Sequence, residues 1–172
     1  YWDFDQVYRN AVSYATTGKI TNHVYFVRYP NNTFILVLLS LFYRAIFLIT
    51  GHTSEMAGVF LNIVAIDFSI LMAFFTCRRI YNSHTALFMA FLCFFFSPFY
   101  LYVPIFYTDT LSMPFLALGL YLYTVFSITE KRRCWHFLIL SLACIALLLG
   151  LKVKGTVFLV FIALMAHIRS EE

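Results

Sequence analysis

The chain has 172 residues, of which 62% are hydrophobic and only 12% are charged, so its composition excludes an ordinary soluble domain. Several apolar runs approach the roughly 20 residues that a helix needs to cross a hydrocarbon core of about 30 Å. The net charge of +4 does not indicate a nucleic-acid partner, because the basic residues gather at the ends of the apolar runs.

The first part of the chain, residues 1–55, combines a polar segment with an apolar helix over 33–50. A weak helical pattern precedes that helix and is expected to stop at Gly18. Arg44 lies well inside 33–50, and a cation at the centre of a span costs about 3 kcal/mol or more. We therefore predict that 33–50 lies in the outer membrane interface, with Arg44 reaching water. Its hydrophobic length keeps a full crossing open as the alternative.

The second part, residues 56–172, is predicted to be a transmembrane bundle. Short loops rich in Arg and Lys alternate with loops that carry few, which puts residues 51–55 outside by the positive-inside rule. The predicted fold class is thus an all-α polytopic membrane protein with about five transmembrane helices and one membrane-embedded outer helix. The predicted spans cover about 56–76, 84–103 (bent by its prolines), 110–128, 135–150 and 156–168.

This topology gathers polar side chains of both signs at the outer face. They are Asp3, Asp5, Arg28, Asn31, Asn32, Asp109, Lys152 and Lys154. Transfer of a sugar from a lipid phosphate would use such a set, with a carboxylate as base or metal ligand and a cation on the phosphate. Each residue also has a structural interpretation. The acids can cap helices, the lysines can extend to the surface, and the tyrosines can form an aromatic belt.

A series of short phrases adds a resemblance. In chain order they are Asp3-Phe4-Asp5-Gln6-Val7-Tyr8, Tyr29-Pro30-Asn31-Asn32, Arg78-Arg79, Tyr107-Thr108-Asp109-Thr110 and Lys154-Gly155-Thr156. This order resembles the membrane-embedded GT-C glycosyltransferases, which include protein O-mannosyltransferases and aminoarabinose transferases, and bacterial members above all. The chain differs in having Asp-x-Asp without an adjacent Glu. It also starts without Met and looks like an N-terminal fragment, so we expect this piece alone to be inactive.

The resemblance implies a reaction and a set of roles. A bacterial plasma-membrane enzyme would move a sugar, with inversion, from a polyprenyl phosphate to a glycan, lipid or protein acceptor at the outer face. Asp5, and less favourably Asp3, would be the catalytic base or a metal-linked acid, and Asp109 the second acid, which orients a cation or the sugar phosphate. Asp5 and Asp109 would hold a divalent cation, Mg²⁺ or Mn²⁺. The residues implied for substrate or phosphate binding are Lys154, Arg28, Tyr107, Tyr29 and Asn31.

Two rival functions remain open at this stage. A transporter or flippase would use Asp67 and Asn62, which fall within the 56–76 span, as a polar site near the membrane midplane. For both residues we favour a structural role, a hydrogen bond to a neighbouring helix. The other rival is a non-catalytic membrane subunit whose polar face binds a partner.

Overall fold

The computed structural model describes residues 3–105, 108–129 and 135–151, and its regular structure within these ranges is helical throughout. A 3₁₀ turn, Pro30–Asn32, joins α2 to α3. The all-α prediction is confirmed for this part of the chain. The helices are α1 (Asp3–Thr17), α2 (His23–Arg28), α3 (Thr33–Thr50), α4 (Glu55–Ile80), α5 (Ser83–Phe94), α6 (Ser97–Leu101), α7 (Thr108–Ile128) and α8 (Trp135–Leu151).

Local sequence signals set several helix ends. Gly18 and Gly51 follow α1 and α3 in the left-handed region, at φ values of 72° and 77°, which side chains with a Cβ rarely adopt. The Ser54 hydroxyl accepts the Met56 N–H in the first turn of α4. The helix α3 therefore has the bounds that the sequence predicted.

Among the residues that the structure describes, three helices are long and apolar enough to cross a membrane: Pro30–Thr50 including the 3₁₀ turn, Glu55–Ile80 and Thr108–Ile128. Two further apolar helices, Ser83–Phe94 and Trp135–Leu148, are shorter. The protein is thus a helical membrane protein, while the predicted number of five spans stays a prediction. The predicted span over 156–168 lies outside the described residues.

The predicted bent span over 84–103 is instead interrupted. The helix α5 stops at Phe94, and α6 begins anew at Ser97 with Pro98 in its first turn. Proline has no N–H to donate and is tolerated in the first turn of a helix, where no intrahelical partner is missing. Pro98, one of the two prolines expected to bend this span, starts a new helix here, and a membrane crossing by 84–103 stays a prediction.

The helices α7 and α8 pack antiparallel with small residues at their contact. The Ser141 hydroxyl donates a 2.8 Å hydrogen bond to the Gly119 carbonyl. A Cβ added at Gly119 would come within 3.4 Å of the Cys144 side chain. Small residues let membrane helices approach closely and bond through their backbones.

The helices α4 and α7 run parallel. Asn62, near the start of α4, bonds the segment that leads into α7. Further along both helices, the Phe75 ring lies 6.2 Å from the Tyr121 ring, and the Arg79 guanidinium lies 5.8 Å from it. The starts of α4 and α7 and the end of α8 therefore share one end of the bundle.

Residues 3–50, comprising α1, the 3₁₀ turn, α2 and α3, form a unit that we call the cap. Its buried face joins one hydrophobic cluster with Ala65 of α4, Leu111 of α7 and Leu151 of α8. Leu111 and Leu151 lie at the bundle end just defined, and Ala65 lies one turn beyond Asn62 on α4. The cap therefore packs on that end, which we call the cap end.

Both halves of α3 contact the cap end. Near its start, the Phe34 ring lies against Gly150, one residue from the end of α8. In its second half, the phenol of Tyr43 lies close to Gly58 and within electrostatic reach of Glu55, both in the first turn or so of α4. Between these points α3 packs chiefly on α1 through a buried face.

Candidate functional site

Arg44 joins the two longer helices of the cap. Its Nη1 atom donates a 2.8 Å hydrogen bond to the carbonyl of Ala15, in the last turn of α1. The last carbonyls of a helix lack intrahelical donors and carry a partial negative charge. Arg44 therefore stabilises the end of α1. From the sequence we expected the Arg44 guanidinium to reach water, because a hydrogen-bond partner 29 residues away in the chain cannot be identified from the sequence alone.

A cavity of about 610 Å³ opens beside Arg44, between the end of α1 and the exposed side of α3. Its polar wall includes Thr16 and Thr17, whose hydroxyls donate to carbonyls within α1. Its apolar wall includes Val37 and Leu41, which are exposed on α3. The cavity thus offers a cationic group between a polar and an apolar wall.

Asn10 holds the polar segment of the cap together. It is 1% exposed, and its Nδ2 donates to the Gln6 carbonyl. Its Oδ1 accepts hydrogen bonds of 2.9 Å from the Thr21 hydroxyl and from the Asn22 N–H. Sequence reasoning missed this residue, although its place beside apolar Val7 and Ala11 on one helix face indicates burial.

The predicted substrate-binding residues of the second cap segment lie on its surface. Arg28, Tyr29 and Asn31 are all exposed. The Arg28 guanidinium lies 5.9 Å from the Tyr29 ring, and Asn31 Nδ2 donates to Asn32 Oδ1. Asn32 in turn donates a 2.7 Å bond to the buried Tyr25 hydroxyl, which fixes the 3₁₀ turn. The three residues are available to a ligand, and their binding role stays a prediction.

The two acids of α1 differ in environment. Asp5 accepts a 2.7 Å charge-assisted hydrogen bond from Arg9 one turn later, and its side chain is 23% exposed. Asp3 is exposed in the first turn. The assigned catalytic role of Asp5 and Asp3 stays a prediction.

Asp109 lies half-buried in the first turn of α7, which Asn62 positions. The fully buried Asn62 donates 2.8 and 3.0 Å hydrogen bonds to the carbonyls of Val103 and Ile105. Asp109 and the acids of α1 thus lie towards the same end of the protein, since Leu111 packs in the cap cluster. Within the described ranges, no group of three or more His, Cys, Asp or Glu side chains is placed to hold a metal.

The remaining predicted residues fall into two groups. Tyr107 and Lys154 lie outside the described residues. Asp67 is exposed on the wall of an otherwise almost wholly apolar cavity of about 690 Å³ between α4, α5 and α6. The Asn62 side chain does not line this cavity, because its amide donates hydrogen bonds to the segment before α7. The structural role that we favoured for Asn62 fits this bonding.

Tyr8 gives the cap a pH-dependent contact. Its ring packs edge-on against that of Tyr43, with 5.6 Å between centroids. Burial raises the pKa of Tyr8 and the Glu55 charge raises it further, against a smaller lowering by Arg9. The folded protein therefore holds the phenol proton more tightly than the unfolded chain. The contribution of the Tyr8 phenol to the free energy of unfolding is therefore complete below the unfolded pKa of about 10 and falls as the pH rises above it.

We expect Tyr8→Phe to reduce the alkaline loss of stability. The measurement is the thermal midpoint by circular dichroism in detergent at pH 8 and pH 10.5, for wild type, Tyr8→Phe and the exposed-residue control Tyr14→Phe. The wild type and the control should lose more between these pH values than Tyr8→Phe does. An equal loss in all three would show that Tyr8 ionisation does not contribute.

The comparisons with known proteins give one match. The family model described as "Conserved hypothetical integral membrane protein" matches residues 1–169. No curated protein and no solved structure matches the chain. The interpretation of the chain as a GT-C glycosyltransferase was therefore wrong, since the match over nearly all of the sequence is to a different family. Short phrases of Tyr, Asn, Asp and Thr are too common at membrane boundaries to identify a family.

Proposed function

The chain belongs to the family of conserved hypothetical integral membrane proteins, and from this premise we propose that it binds an amphiphilic, lipid-carried substrate through its cap at one membrane face. Its role in the bilayer as a multi-pass protein follows from the family and from its apolar helices. The proposal adds where the cap lies and what it binds.

One observation carries the proposal: both halves of α3 contact the same end of the bundle. Phe34 lies against the end of α8, and Tyr43 against the first turns of α4. Residues 51–54 alone join the end of α3 at Thr50 to the start of α4. Phe34 and Thr50 are about 24 Å apart along the helix, so a spanning α3 would bring the end of α8 and the start of α4 to opposite faces of the membrane, whereas they share one end of the bundle. The contacts support an α3 that lies along the interface, with the whole cap on one side.

The surface of α3 supports the same arrangement. One side of α3 is buried against the rest of the cap. The opposite side exposes an apolar stripe of Val37, Leu41 and Leu48 with Arg44 among them. An interfacial helix typically buries its apolar face at the level of the acyl chains while its cations reach the headgroups. The position of Arg44 is costly inside a span and inexpensive at the interface.

Such a cap suits a molecule with a polar head and an apolar tail. The exposed Arg28, Tyr29 and Asn31 supply polar and aromatic contacts on the same unit. Sugar transfer from a polyprenyl phosphate is a finer prediction that the family match does not support. It depends on Asp5, which is engaged with Arg9, and we leave it outside the proposal.

Side-specific labelling tests the position of the cap. Single cysteines at the exposed positions 3, 52 and 84, in a cysteine-free background, are treated with a membrane-impermeant maleimide in intact and in permeabilised cells. With α3 in the interface, positions 3 and 52 label from the same side and position 84 from the other. The reason is that α4 separates position 52 from position 84.

The opposite pattern would overturn the proposal. If α3 spans, positions 3 and 52 label from opposite sides, and position 3 labels with position 84. The second candidate function, transport, would then stand first. It has a specific observation in its favour, because the Asp67 carboxylate is exposed to an apolar cavity halfway along the longest apolar helix.

A further inference from the structure

We propose that the cavity beside Arg44 binds the phosphate head of an anionic glycerophospholipid, with the lipid tail along the exposed stripe of α3. This inference rests on the proposed function, because it requires Arg44 at headgroup depth, and it names the class of amphiphile. The cavity of about 610 Å³ is large enough for a glycerophosphate head.

The charge at this cavity is the first argument. Within the part of the chain that the structure describes, no carboxylate lies within 4 Å of the Arg44 guanidinium. The ion pair in these described residues joins Arg9 to Asp5 on α1. The end of α1 carries about half a negative elementary charge, whereas a guanidinium carries a full positive one. The Ala15 carbonyl takes one N–H, so charge and donors remain for an anion.

The shape of the guanidinium is the second argument. Arg44 is exposed, and its planar fork presents parallel N–H groups that match two oxygens of a phosphate. The bond to Ala15 fixes the side chain in place before any ligand binds. A fixed side chain loses less conformational entropy on binding.

The third argument is the spacing along α3. Val37, Leu41, Arg44 and Leu48 follow one another at intervals of four, three and four residues, which places them on one side of the helix. All four are exposed. A head held by Arg44 would thus leave its tail beside Leu41 and Val37, which also line the cavity.

A binding measurement on the full chain in dodecyl maltoside tests the inference. The protein is titrated with dihexanoyl phosphatidylglycerol, dihexanoyl phosphatidylcholine and glycerol 3-phosphate. We expect tighter binding of the anionic lipid than of the zwitterionic one. Arg44→Gln should weaken the anionic lipid roughly tenfold or more, since it removes charge-assisted hydrogen bonds. Arg44→Lys should retain part of the affinity.

Two controls separate the possible sources of the signal. Arg78→Gln removes an exposed cation in the last turn of α4, away from the cap, and should change the affinity by less than about twofold. Leu41→Gln should weaken the lipid but not glycerol 3-phosphate, because it changes the apolar wall alone. Equal weakening of the lipid by Arg44→Gln and Arg78→Gln would overturn the inference. The inference would also be overturned if glycerol 3-phosphate bound tightly and its affinity equalled that of the lipid in Leu41→Gln. That result would indicate a site for free phosphate.

The test of the lipid site does not depend on Arg44→Gln alone. If Arg44→Gln fails to fold, the selective effect of Leu41→Gln decides, and its absence counts against the site. Should the labelling show the cap on one side while the anionic lipid shows no preference, the inference fails and the proposed function stands. If positions 3 and 52 label from opposite sides, both the proposed function and this inference are overturned.

Discussion

Replacing Asn62 with leucine should lower the free energy of unfolding by about 2–4 kcal/mol. The Asn62 amide donates to the carbonyls of Val103 and Ile105, and the substitution leaves both without that donor in a buried place. Irregular backbone at membrane depth is tolerated only where the protein satisfies it. Removal of the buried Asn62 Oδ1, which has no partner among the described residues, offsets part of the cost.

Ser69→Ala is the matched control for this prediction. Ser69 is buried on the same helix, and its hydroxyl donates to the Ala65 carbonyl within that helix. Its replacement should cost less than about 1 kcal/mol. Denaturant unfolding in mixed micelles gives the stabilities, and amide exchange of residues 99–105 gives the local effect. Equal stabilities of the two variants would show that Asn62 does not hold this segment.

Replacing Asn10 with alanine should open the polar segment of the cap. Three hydrogen bonds disappear, two of them from donors in the turn after α1, at a cost of about 2–4 kcal/mol. Limited trypsin digestion reports on this opening through cleavage after Lys19, which lies in the same turn. For a loss of about 2 kcal/mol, cleavage in the equilibrium regime should accelerate roughly 30-fold.

Ser13→Ala serves as the comparison in this case. The Ser13 hydroxyl also spans the turn, to the Lys19 carbonyl, but Ser13 is more exposed than Asn10. Its loss should change cleavage by less than about fivefold, because water can replace an exposed hydrogen bond. If cleavage of Asn10→Ala were as slow as that of Ser13→Ala, the network would be unimportant to the cap.

Local chain chemistry made the helices of this protein predictable. The apolar run of α3 predicted its bounds, and Gly18 predicted the end of α1. Periodicity and end signals involve neighbours in the sequence, so no tertiary knowledge is needed. The break between α5 and α6 falls at Pro98, where a bend was expected, because a proline within an apolar run can either bend a helix or start another.

The candidate site was predicted less well, because its contacts join distant parts of the chain. Arg44 was singled out as costly within an apolar segment, but its bond to Ala15 could not be foreseen from the sequence. The structural role of Asn62 was favoured, whereas its partners, 41 and 43 residues away, were not identified. A buried polar side chain indicates that a partner exists and not which one.

The short helix α5 has a consequence for the lipids around the protein. Its 12 residues extend about 18 Å, well short of the hydrocarbon thickness of an average bilayer. Beside it, the carbonyls held by Asn62 lie about 10 Å along α4 from the start of that helix. Acyl chains on this side must shorten or tilt to match, at a fraction of a kcal/mol for each ångström of mismatch. The mismatch is confined to this side, because α4 and α7 are about 39 and 32 Å long and can match an average bilayer.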